Sequence, residues 1–267
     1  MKLSSPTQGI SSLLSLQHLT VKVGEKTILH DLSMDFAPGS FHVILGPNGS
    51  GKSTLASFLA GHPDYVAATD SQVTFGGQNL LSLSADQRSR AGLFLAFQQP
   101  VMVPGLRVLN FLWLTYQRRF SDAATRPQKT IVAFRDYLKT LAVDLDLKPE
   151  LIDRGLHEGF SGGEKKRLEV LQLMVLQPKL AILDEIDSGL DVDALKLTAA
   201  ALHRLQNEIG TTILLITHHQ QIVRTFKPDQ VRVLIQGKLV ASGDMNLLEQ
   251  IEAEGFNSFK TLATEVS

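Results

Sequence analysis

The sequence predicts an α/β fold in which a helix-rich segment interrupts a strand-rich chain. Short, continuously apolar runs such as Phe41–Leu45 and Leu180–Leu183 are typical of parallel strands that are covered on both faces. Between residues 106 and 175 the apolar residues follow helical spacing instead, as they do from Phe134 to Leu141. Because strands precede and follow this segment, we expect a sheet-centred core with a helical insertion.

The strands are predicted in chain order from runs of apolar and β-branched residues. Leu16–Val23 and Thr27–Phe36 flank a turn at Gly24–Glu25, which predicts a β-hairpin. Phe41–Leu45 then leads into a glycine-rich loop that begins at Gly46. The later runs of the same kind are Leu93–Phe97, Leu180–Leu183, Ile213–Ile216 and Val231–Ile235.

Two helices of the insertion are marked by apolar residues at three- and four-residue spacing. Phe134, Tyr137, Leu138 and Leu141 follow the pattern i, i+3, i+4, i+7, and Leu168, Leu171 and Val175 repeat it further along the chain. A helix with such a stripe buries one face. We therefore expect both helices to pack inside the helical segment.

The composition excludes several classes of protein. The 267 residues are 43% hydrophobic, which is too high for a disordered chain. With 26 basic and 27 acidic residues, the net charge of −1 makes no electrostatic case for binding nucleic acid or an anionic membrane surface. The chain has no Cys, which excludes disulfides, thiolate zinc sites, a nucleophilic Cys and an iron–sulfur cluster held by its own thiolates.

Targeting signals are not recognisable in the sequence. No apolar run approaches the roughly 18 residues that a membrane helix needs. The N-terminal segment has one Lys, no Arg and a short apolar patch, so it matches neither a secretory signal nor an Arg-rich transit peptide. We therefore expect a soluble cytoplasmic protein.

The glycine-rich loop matches the phosphate-binding motif G-x-x-x-x-G-K-[ST]. Glycines let the main chain approach phosphate and turn N–H groups towards it, and the following helix adds the positive end of its dipole. A chance match is expected in roughly 1% of chains of this length. We expect Lys52 to reach the β- and γ-phosphates, Ser53 to offer its hydroxyl to Mg²⁺, and Thr54 to support the α-phosphate. The motif residues, here called the phosphate loop, are Gly46, Pro47, Asn48, Gly49, Ser50, Gly51, Lys52 and Ser53.

Two carboxylates follow the strand Leu180–Leu183. Adjacent acidic residues after a strand are common, but this pair shares its chain with a phosphate loop. Asp184 is predicted to hold Mg²⁺ through water, and Glu185 to act as the general base on the attacking water. Together they indicate hydrolysis of a nucleoside triphosphate.

The segment Phe160–Arg167 resembles the LSGGQ signature of ABC-type ATPases, with Phe160 for Leu and Glu164 for Gln. Ser161 is expected to cap a helix whose first residues are Gly162 and Gly163, which makes a second anion site. The alternative is an ordinary serine-capped helix with a glycine turn and no role in binding ATP. The resemblance implies that Ser161, Gly162, Gly163 and Glu164 complete the ATP site of a second subunit.

Other residues match ABC landmarks in the expected order. Gln98 matches the Q-loop glutamine, which the resemblance gives a role in sensing Mg²⁺ and water, and Gln99 is the alternative. Asp191, in the segment from Ser188, matches the D-loop at the dimer seam. His218 matches the switch histidine that contacts the γ-phosphate, with His219 as the competitor one register away.

Four further segments carry variant motifs: GHP at 61–63, AGLFLAFQQPVMVPGL at 91–106, FSGGEKKR at 160–167 and DEIDSGLDVDALK at 184–196. As a set they resemble more narrowly the SufC family, the soluble ABC-type ATPases of the Suf iron–sulfur cluster assembly system. The likeness spans roughly residues 16–250, with departures at Gln99, Leu168 and Ile186.

The resemblance implies an ABC-type ATPase domain: a RecA-like phosphate-loop core with an antiparallel β subdomain and an inserted helical subdomain. On this basis the core comprises about 12–97 and 178–245, the helical subdomain about 98–177, and a C-terminal helical tail about 246–267. The implied cofactors are ATP and Mg²⁺.

The resemblance also implies the function and the partners. ATP-driven dimerisation of the subunit would reshape a complex with SufB-like and SufD-like scaffold proteins, which dock near the apolar run Val101–Val103. An ATPase subunit of an ABC membrane transporter is the alternative, because it shares every catalytic motif. A non-hydrolysing nucleotide-gated binding module is a further alternative, against which the presence of Glu185 and His218 argues.

Overall fold

The computed structural model of the protein describes residues 12–96, 102–122, 124 and 126–259. The strands are β1 (Leu14–Val23), β2 (Lys26–Phe36), β3 (Phe41–Leu45), β4 (Tyr65–Ala67), β5 (Gln72–Phe75), β6 (Gln78–Asn79), β7 (Leu93–Ala96), β8 (Val103–Arg107), β9 (Gly155–Leu156), β10 (Leu180–Asp184), β11 (Thr212–Thr217), β12 (Gln230–Ile235) and β13 (Lys238–Gly243). The α-helices are α1 (Lys52–Ala60), α2 (Ala85–Ala91), α3 (Val108–Arg119), α4 (Ile131–Asp144), α5 (Gly162–Leu176), α6 (Val192–Arg204), α7 (Gln220–Phe226) and α8 (Met245–Glu254). Short 3₁₀ turns lie at Leu80–Ser82, Pro149–Asp153 and Phe256–Phe259, and a π-helical turn at Leu205–Ile209 continues α6.

A six-stranded sheet forms the centre of the molecule, in the order β13-β12-β3-β11-β10-β7. Every neighbouring pair is parallel except β12 and β13. Strands β3, β10 and β11 are buried along their whole length, because the sheet is covered on both faces. The strands predicted from continuous apolar runs are confirmed, except that Phe97, the last residue of the predicted run Leu93–Phe97, lies outside the described residues.

Three strands of this sheet end at the same edge. Leu45 pairs with Thr217, and Asp184 pairs with Ile216, so the carboxyl ends of β3, β10 and β11 are in register. The glycine-rich loop, Glu185 and His218 follow these three ends directly. Ligand-binding residues of open α/β sheets concentrate at this edge.

A second, antiparallel sheet lies over one face of the first. Its strand order is β2-β1-β5-β6, with β4 paired to β1, and it contains the predicted hairpin. Leu16 and Phe75 from this sheet share a buried cluster with Leu55 and Leu59 of α1 and Ile182 of β10. Helix α1 is therefore packed within the layer between the two sheets.

The other face of the central sheet packs against helices. Phe134 and Leu138 of α4, Leu171 of α5 and Phe41 of β3 belong to one buried cluster. The two predicted helical stripes are confirmed, because their apolar residues point into this cluster.

The helical segment is less uniform than predicted. It includes the small antiparallel sheet β8–β9, in which Val103 pairs with Leu156. Extended residues flanking Pro104 and Gly105 carry no helical pattern, which explains why the spacing of apolar residues missed this sheet. None of the helices in the described part of the chain is long and apolar enough to cross a bilayer. The residue boundaries of the three subdomains stay a prediction.

Candidate functional site

The phosphate loop wraps around the amine of Lys52. Lys52 Nζ donates hydrogen bonds to Gly46 O at 2.8 Å and to Pro47 O at 2.9 Å. Burial lowers the pKa of Lys52, whereas the nearby charges of Glu185 and Asp184 act in the opposite direction. The amine is thus held inside the loop as a cation that an anionic ligand would stabilise.

The mouth of the loop is open to solvent. Asn48, Gly49 and Ser53 are exposed, whereas Ser50 and Gly51 are buried against the protein. Helix α1 begins at Lys52, within the phosphate loop, so its first N–H groups face the same region. Pro47 and Thr54 are half-buried. The arrangement can present main-chain donors and one amine to a phosphate chain.

Asp184 ends β10 as a buried carboxylate beside this loop. Burial raises its pKa, and the hydroxyl of Ser53, together with Lys52 and Lys166, lowers it in part. Its Oδ1 is buried and has no hydrogen-bond partner within the described part of the chain. A buried oxygen without a donor, next to a serine hydroxyl, suits a hard divalent cation such as Mg²⁺.

Glu185 faces the histidine at the end of β11. The Nδ1 atom of His218 lies 2.8 Å from Oε1 of Glu185, and both side chains are partly shielded from solvent. The main chain at Glu185 has φ of 52°, and its N–H donates to Ile216 O. A histidine on this carboxylate can orient it and exchange a proton with it.

The competing histidine has a different partner. His219 Nδ1 lies 2.7 Å from Oδ2 of Asp187, whose side chain is fully buried. Thr217 donates its hydroxyl to the same oxygen. His219, although exposed, is thus engaged with a buried carboxylate, which favours His218 as the residue that acts with Glu185.

The signature segment forms a capped helix start. The hydroxyl of Ser161 accepts from Glu164 N–H at 3.2 Å, and Glu164 Oε2 accepts from Ser161 N–H at 2.8 Å. The main-chain N–H of Ser161, followed by the Ser161 side chain, lowers the pKa of Glu164 by hydrogen bonding to its carboxylate. A Cβ atom added at Gly162 or Gly163 would meet nothing within 4 Å. The cap therefore presents main-chain donors to open space.

Asp191 caps α6 in the same way. Its Oδ1 accepts from Ala194 N–H at 2.8 Å, and Asp191 is exposed. The next residue, Val192, is an apolar side chain with 68% exposure. This surface is therefore available for a second molecule.

The structure brings together most of the predicted residues but leaves the signature segment at Ser161 and the helix cap at Asp191 apart from them. The phosphate loop, Asp184, Glu185 and His218 follow neighbouring strand ends. The described hydrogen bonds of Ser161 and Asp191 stay within their own helix starts. Gln98 and its alternative Gln99 lie outside the described residues.

Sequence reasoning missed three polar residues behind Glu185. Lys166 donates its amine to Glu185 O at 3.1 Å, and burial lowers the pKa of Lys166. Asp187 and Thr217 are buried and hydrogen bonded to each other, and His219 contacts the same carboxylate. The second lysine in SGGEKK and the third acid in DEID were the only sequence signals, and neither shows which side chain turns inward.

Sequence comparisons identify relatives of this chain. A family model described as ABC transporter matches residues 29–188. The probable ATP-dependent transporter SufC of Escherichia coli is 44% identical over 246 residues, which cover 91% of this chain and 97% of that protein. Vegetative protein 296 of Bacillus subtilis is 40% identical over 253 residues, which cover 94% of each chain. The predicted resemblance to the SufC family is confirmed.

Solved structures support the fold. An ATP-binding cassette of an ABC transporter in its ADP conformation superposes with a TM-score of 0.73 at 22% identity, covering 95% of this chain and 98% of that one. A dimeric cassette in a post-hydrolysis state with ADP and Pi has a TM-score of 0.71 at 20% identity, covering 87% and 98%. The predicted ABC-type fold is therefore confirmed. The family model and the SufC relative show that the chain belongs to the ABC transporter family as an ATP-binding ABC-type ATPase.

Proposed function

We propose that this ATPase drives a conformational change in a scaffold made of SufB-like and SufD-like proteins during iron–sulfur cluster assembly. The observation that carries the proposal is the likeness to SufC of Escherichia coli, which extends over 91% of this chain and 97% of that protein. The chain has no Cys of its own, so cluster ligands would come from the partners. A cytoplasmic location is part of the proposal.

In the proposed reaction, the phosphate loop and Lys52 bind the phosphates of ATP and hold them in line with water. Glu185 accepts the proton of that water, and His218 keeps the carboxylate oriented. Ser53 and Asp184 would hold Mg²⁺, together with Gln98. When bound, this ion neutralises charge on the phosphate oxygens.

The proposed working unit is an ATP-dependent dimer. Ser161, Gly162 and Gly163 lie at an open helix start, where they suit the phosphates of an ATP held by another molecule. The exposed Asp191 and Val192 suit the seam between the two subunits. Nucleotide would favour the closed dimer by mass action.

We propose that the scaffold docks at a cavity of about 750 Å³ between the core and the helical segment. Its lining includes Phe94 of β7, Phe111 and Leu114 of α3, and Val103 of β8. Leu114 is 56% exposed and Val103 is 41% exposed. Exposed apolar side chains around a cavity indicate a surface that a partner covers.

Affinity purification from native cells, with mass spectrometry of the co-purifying chains, tests the proposal. We expect SufB-like and SufD-like proteins with the wild type and a strong loss of both with Val103→Asp. Val66→Asp is the matched control, because Val66 is 61% exposed on β4 of the other sheet. ATP binding should survive in both variants, since neither side chain belongs to the phosphate loop.

The alternative function is the ATPase subunit of a membrane transporter. The matching family model is described as ABC transporter, and the SufC relative is named a probable ATP-dependent transporter, which favours this second candidate. Recovery of an integral membrane protein in place of the two scaffold proteins would support it and contradict the proposal.

A further inference from the structure

We propose that the turn between β12 and β13, centred on Gly237, is a positioning element for the phosphate loop. The N–H of Gly237 donates to Ser50 O at 2.9 Å, and its carbonyl accepts from His30 N–H at 2.9 Å. One residue therefore ties the phosphate loop to β2 of the antiparallel sheet. This inference rests on the proposed role of the phosphate loop in binding ATP.

The bond to Ser50 O determines where the next N–H points. The carbonyl of Ser50 and the N–H of Gly51 belong to one planar trans peptide, in which the two groups point in opposite directions. When the turn holds this carbonyl, the Gly51 N–H is directed away from the turn. Gly237 would thus orient a donor intended for phosphate without touching the nucleotide itself.

The loop also packs against the hairpin at both of its ends. A Cβ atom added at Gly46 would lie 2.1 Å from Leu234 O of β12. A Cβ atom added at Gly51 would lie 2.6 Å from Leu29 Cδ2 and 3.6 Å from the Cα of Gly237. The first and third glycines of the motif therefore serve close packing against β2 and the β12–β13 hairpin, in addition to their approach to phosphate.

Only glycine fits at position 237. Gln236 has φ of 50° and Gly237 has φ of 76°, which is the pattern of a two-residue type I′ turn. A Cβ atom at Gly237 would lie 1.9 Å from Ile28 O, a main-chain atom of β2 that cannot rotate away. Any side chain at this position must push the turn away from β2 and weaken its bond to Ser50.

The β5–β6 hairpin supplies a matched control. Its turn residues Gly76 and Gly77 have φ of 56° and 80°, close to the values of Gln236 and Gly237. A Cβ atom at Gly77 would meet nothing within 4 Å. Gly77→Ala therefore carries the same backbone strain as Gly237→Ala without the clash and without a link to the phosphate loop.

The test compares these two variants by equilibrium ATP binding and by hydrogen exchange of the segment 46–52. We expect Gly237→Ala to weaken ATP binding by about tenfold or more and to speed exchange of this segment. Gly77→Ala should keep its affinity within about twofold of the wild type, although its melting temperature falls. Equal affinities in Gly237→Ala and the wild type would overturn the proposal, as would an equal loss in both variants.

Two further variants keep the test decisive. If Gly237→Ala does not fold, His30→Pro removes the N–H that donates to Gly237 O and places no atom at Gly237. We then expect a smaller loss of affinity in the same direction, and unchanged affinity would overturn the proposal. Lys52→Ala tests the proposed role of the phosphate loop separately from that of Gly237. If Lys52→Ala binds ATP like the wild type, the phosphate loop does not bind ATP as proposed, whatever the affinity of Gly237→Ala.

Discussion

The Nδ1 atom of His218 lies 2.8 Å from Oε1 of Glu185, across two neighbouring parallel strands. The side chain of Glu185 is 12% exposed and that of His218 is 32% exposed, so the contact lies where solvent only partly competes with it. It connects the proposed general base with the proposed contact to the γ-phosphate. The two residues are therefore expected to act as a pair.

Glu185→Gln should bind ATP and fail to turn it over. The amide keeps the shape of the side chain and can still hydrogen bond to His218, but it cannot accept a proton from water. We expect a loss in kcat of about 100-fold or more with little change in ATP affinity. Phosphate release and equilibrium binding measure the two quantities. Turnover at the wild-type rate would show that Glu185 is not the base.

The same variant should form the ATP-dependent dimer. Sedimentation of Glu185→Gln with ATP is expected to give a dimer, because the closed form cannot be released by hydrolysis. Adding Ser161→Arg should abolish the dimer, since a long side chain would occupy the open helix start.

Ser84→Arg is the control for this prediction. Ser84 is the exposed N-cap of α2, and its N–H donates to Gln87 as that of Ser161 does to Glu164. The variant Glu185→Gln with Ser84→Arg should therefore remain a dimer with ATP. A dimer that persists with Ser161→Arg would contradict the sandwich arrangement.

Local pattern predicted the elements that carry the site. The strands at Phe41–Leu45 and Leu180–Asp184 are continuous apolar runs, and the capped helix start at Ser161 follows from its side-chain chemistry and spacing. The sequence predicts His218, with His219 as the competitor, to be the switch histidine, and the contact of His218 with Glu185 supports this prediction. Each of these features depends on residues that are close together in the sequence.

The remaining features depend on pairings between distant segments. Gly237 meets Ser50 and His30 only after β12 has joined the central sheet beside β3. Likewise, His42 of β3 contacts Arg232 of β12, although the two residues are 190 positions apart in the sequence. No periodicity or motif records which backbone atoms face one another across such distances, and the structure is needed to find them.

Asp184→Asn should stabilise the nucleotide-free protein while abolishing turnover. Burial raises the pKa of Asp184, so the folded state binds this proton more tightly than the unfolded chain. At neutral pH the ionised carboxylate therefore opposes folding, and the uncharged amide removes that opposition. We expect the free energy of unfolding to rise by roughly 0.5–2 kcal/mol.

The pH dependence tests the cause of this gain. As the pH falls through the raised pKa of Asp184, the wild-type carboxyl becomes neutral and the advantage of Asp184→Asn should shrink. Urea unfolding at pH 7 and pH 4.5 measures the difference in free energy of unfolding between Asp184→Asn and the wild type. A variant that is less stable than the wild type at pH 7 would mean that Ser53 and Lys52 outweigh the burial.

His42 should make the fold sensitive to acid. Burial, and then the charge of Arg232, lower the pKa of His42 to about 3. The guanidinium of Arg232 donates to Nδ1 of His42 at 2.6 Å and to Asp35 O, and Ser40 hydrogen bonds to the other ring nitrogen. In the unfolded chain, His42 is therefore protonated below about pH 6.5, whereas in the folded state it stays neutral down to about pH 3.

Between pH 7 and pH 5, this residue should lower the free energy of unfolding by about 2 kcal/mol. His42→Gln can still accept a hydrogen bond from Arg232 but does not titrate, so its stability should fall less over the same range. Urea denaturation at both pH values gives the comparison. Parallel losses in the two proteins would place the acid sensitivity elsewhere.

Base recognition should be weak. Many ABC-type ATPases stack adenine on an aromatic residue at the end of the first strand of the hairpin that corresponds to β1–β2. The matching residue in this chain is Val23. It is the last residue of β1, half-buried, and pairs with Lys26 and with Tyr65 of β4. Valine offers apolar contact without a π-face, and base stacking is worth roughly 1–3 kcal/mol where an aromatic ring supplies it.

Most of the affinity should then come from the phosphates, which all nucleoside triphosphates share. We expect GTP to bind within about tenfold of ATP, because a tenfold difference requires about 1.4 kcal/mol of base-specific free energy. Val23→Tyr should tighten ATP binding if the hairpin reaches the base. Competition of ATP and GTP for the site measures both effects. A preference for ATP above about a hundredfold in the wild type would mean that another group recognises adenine.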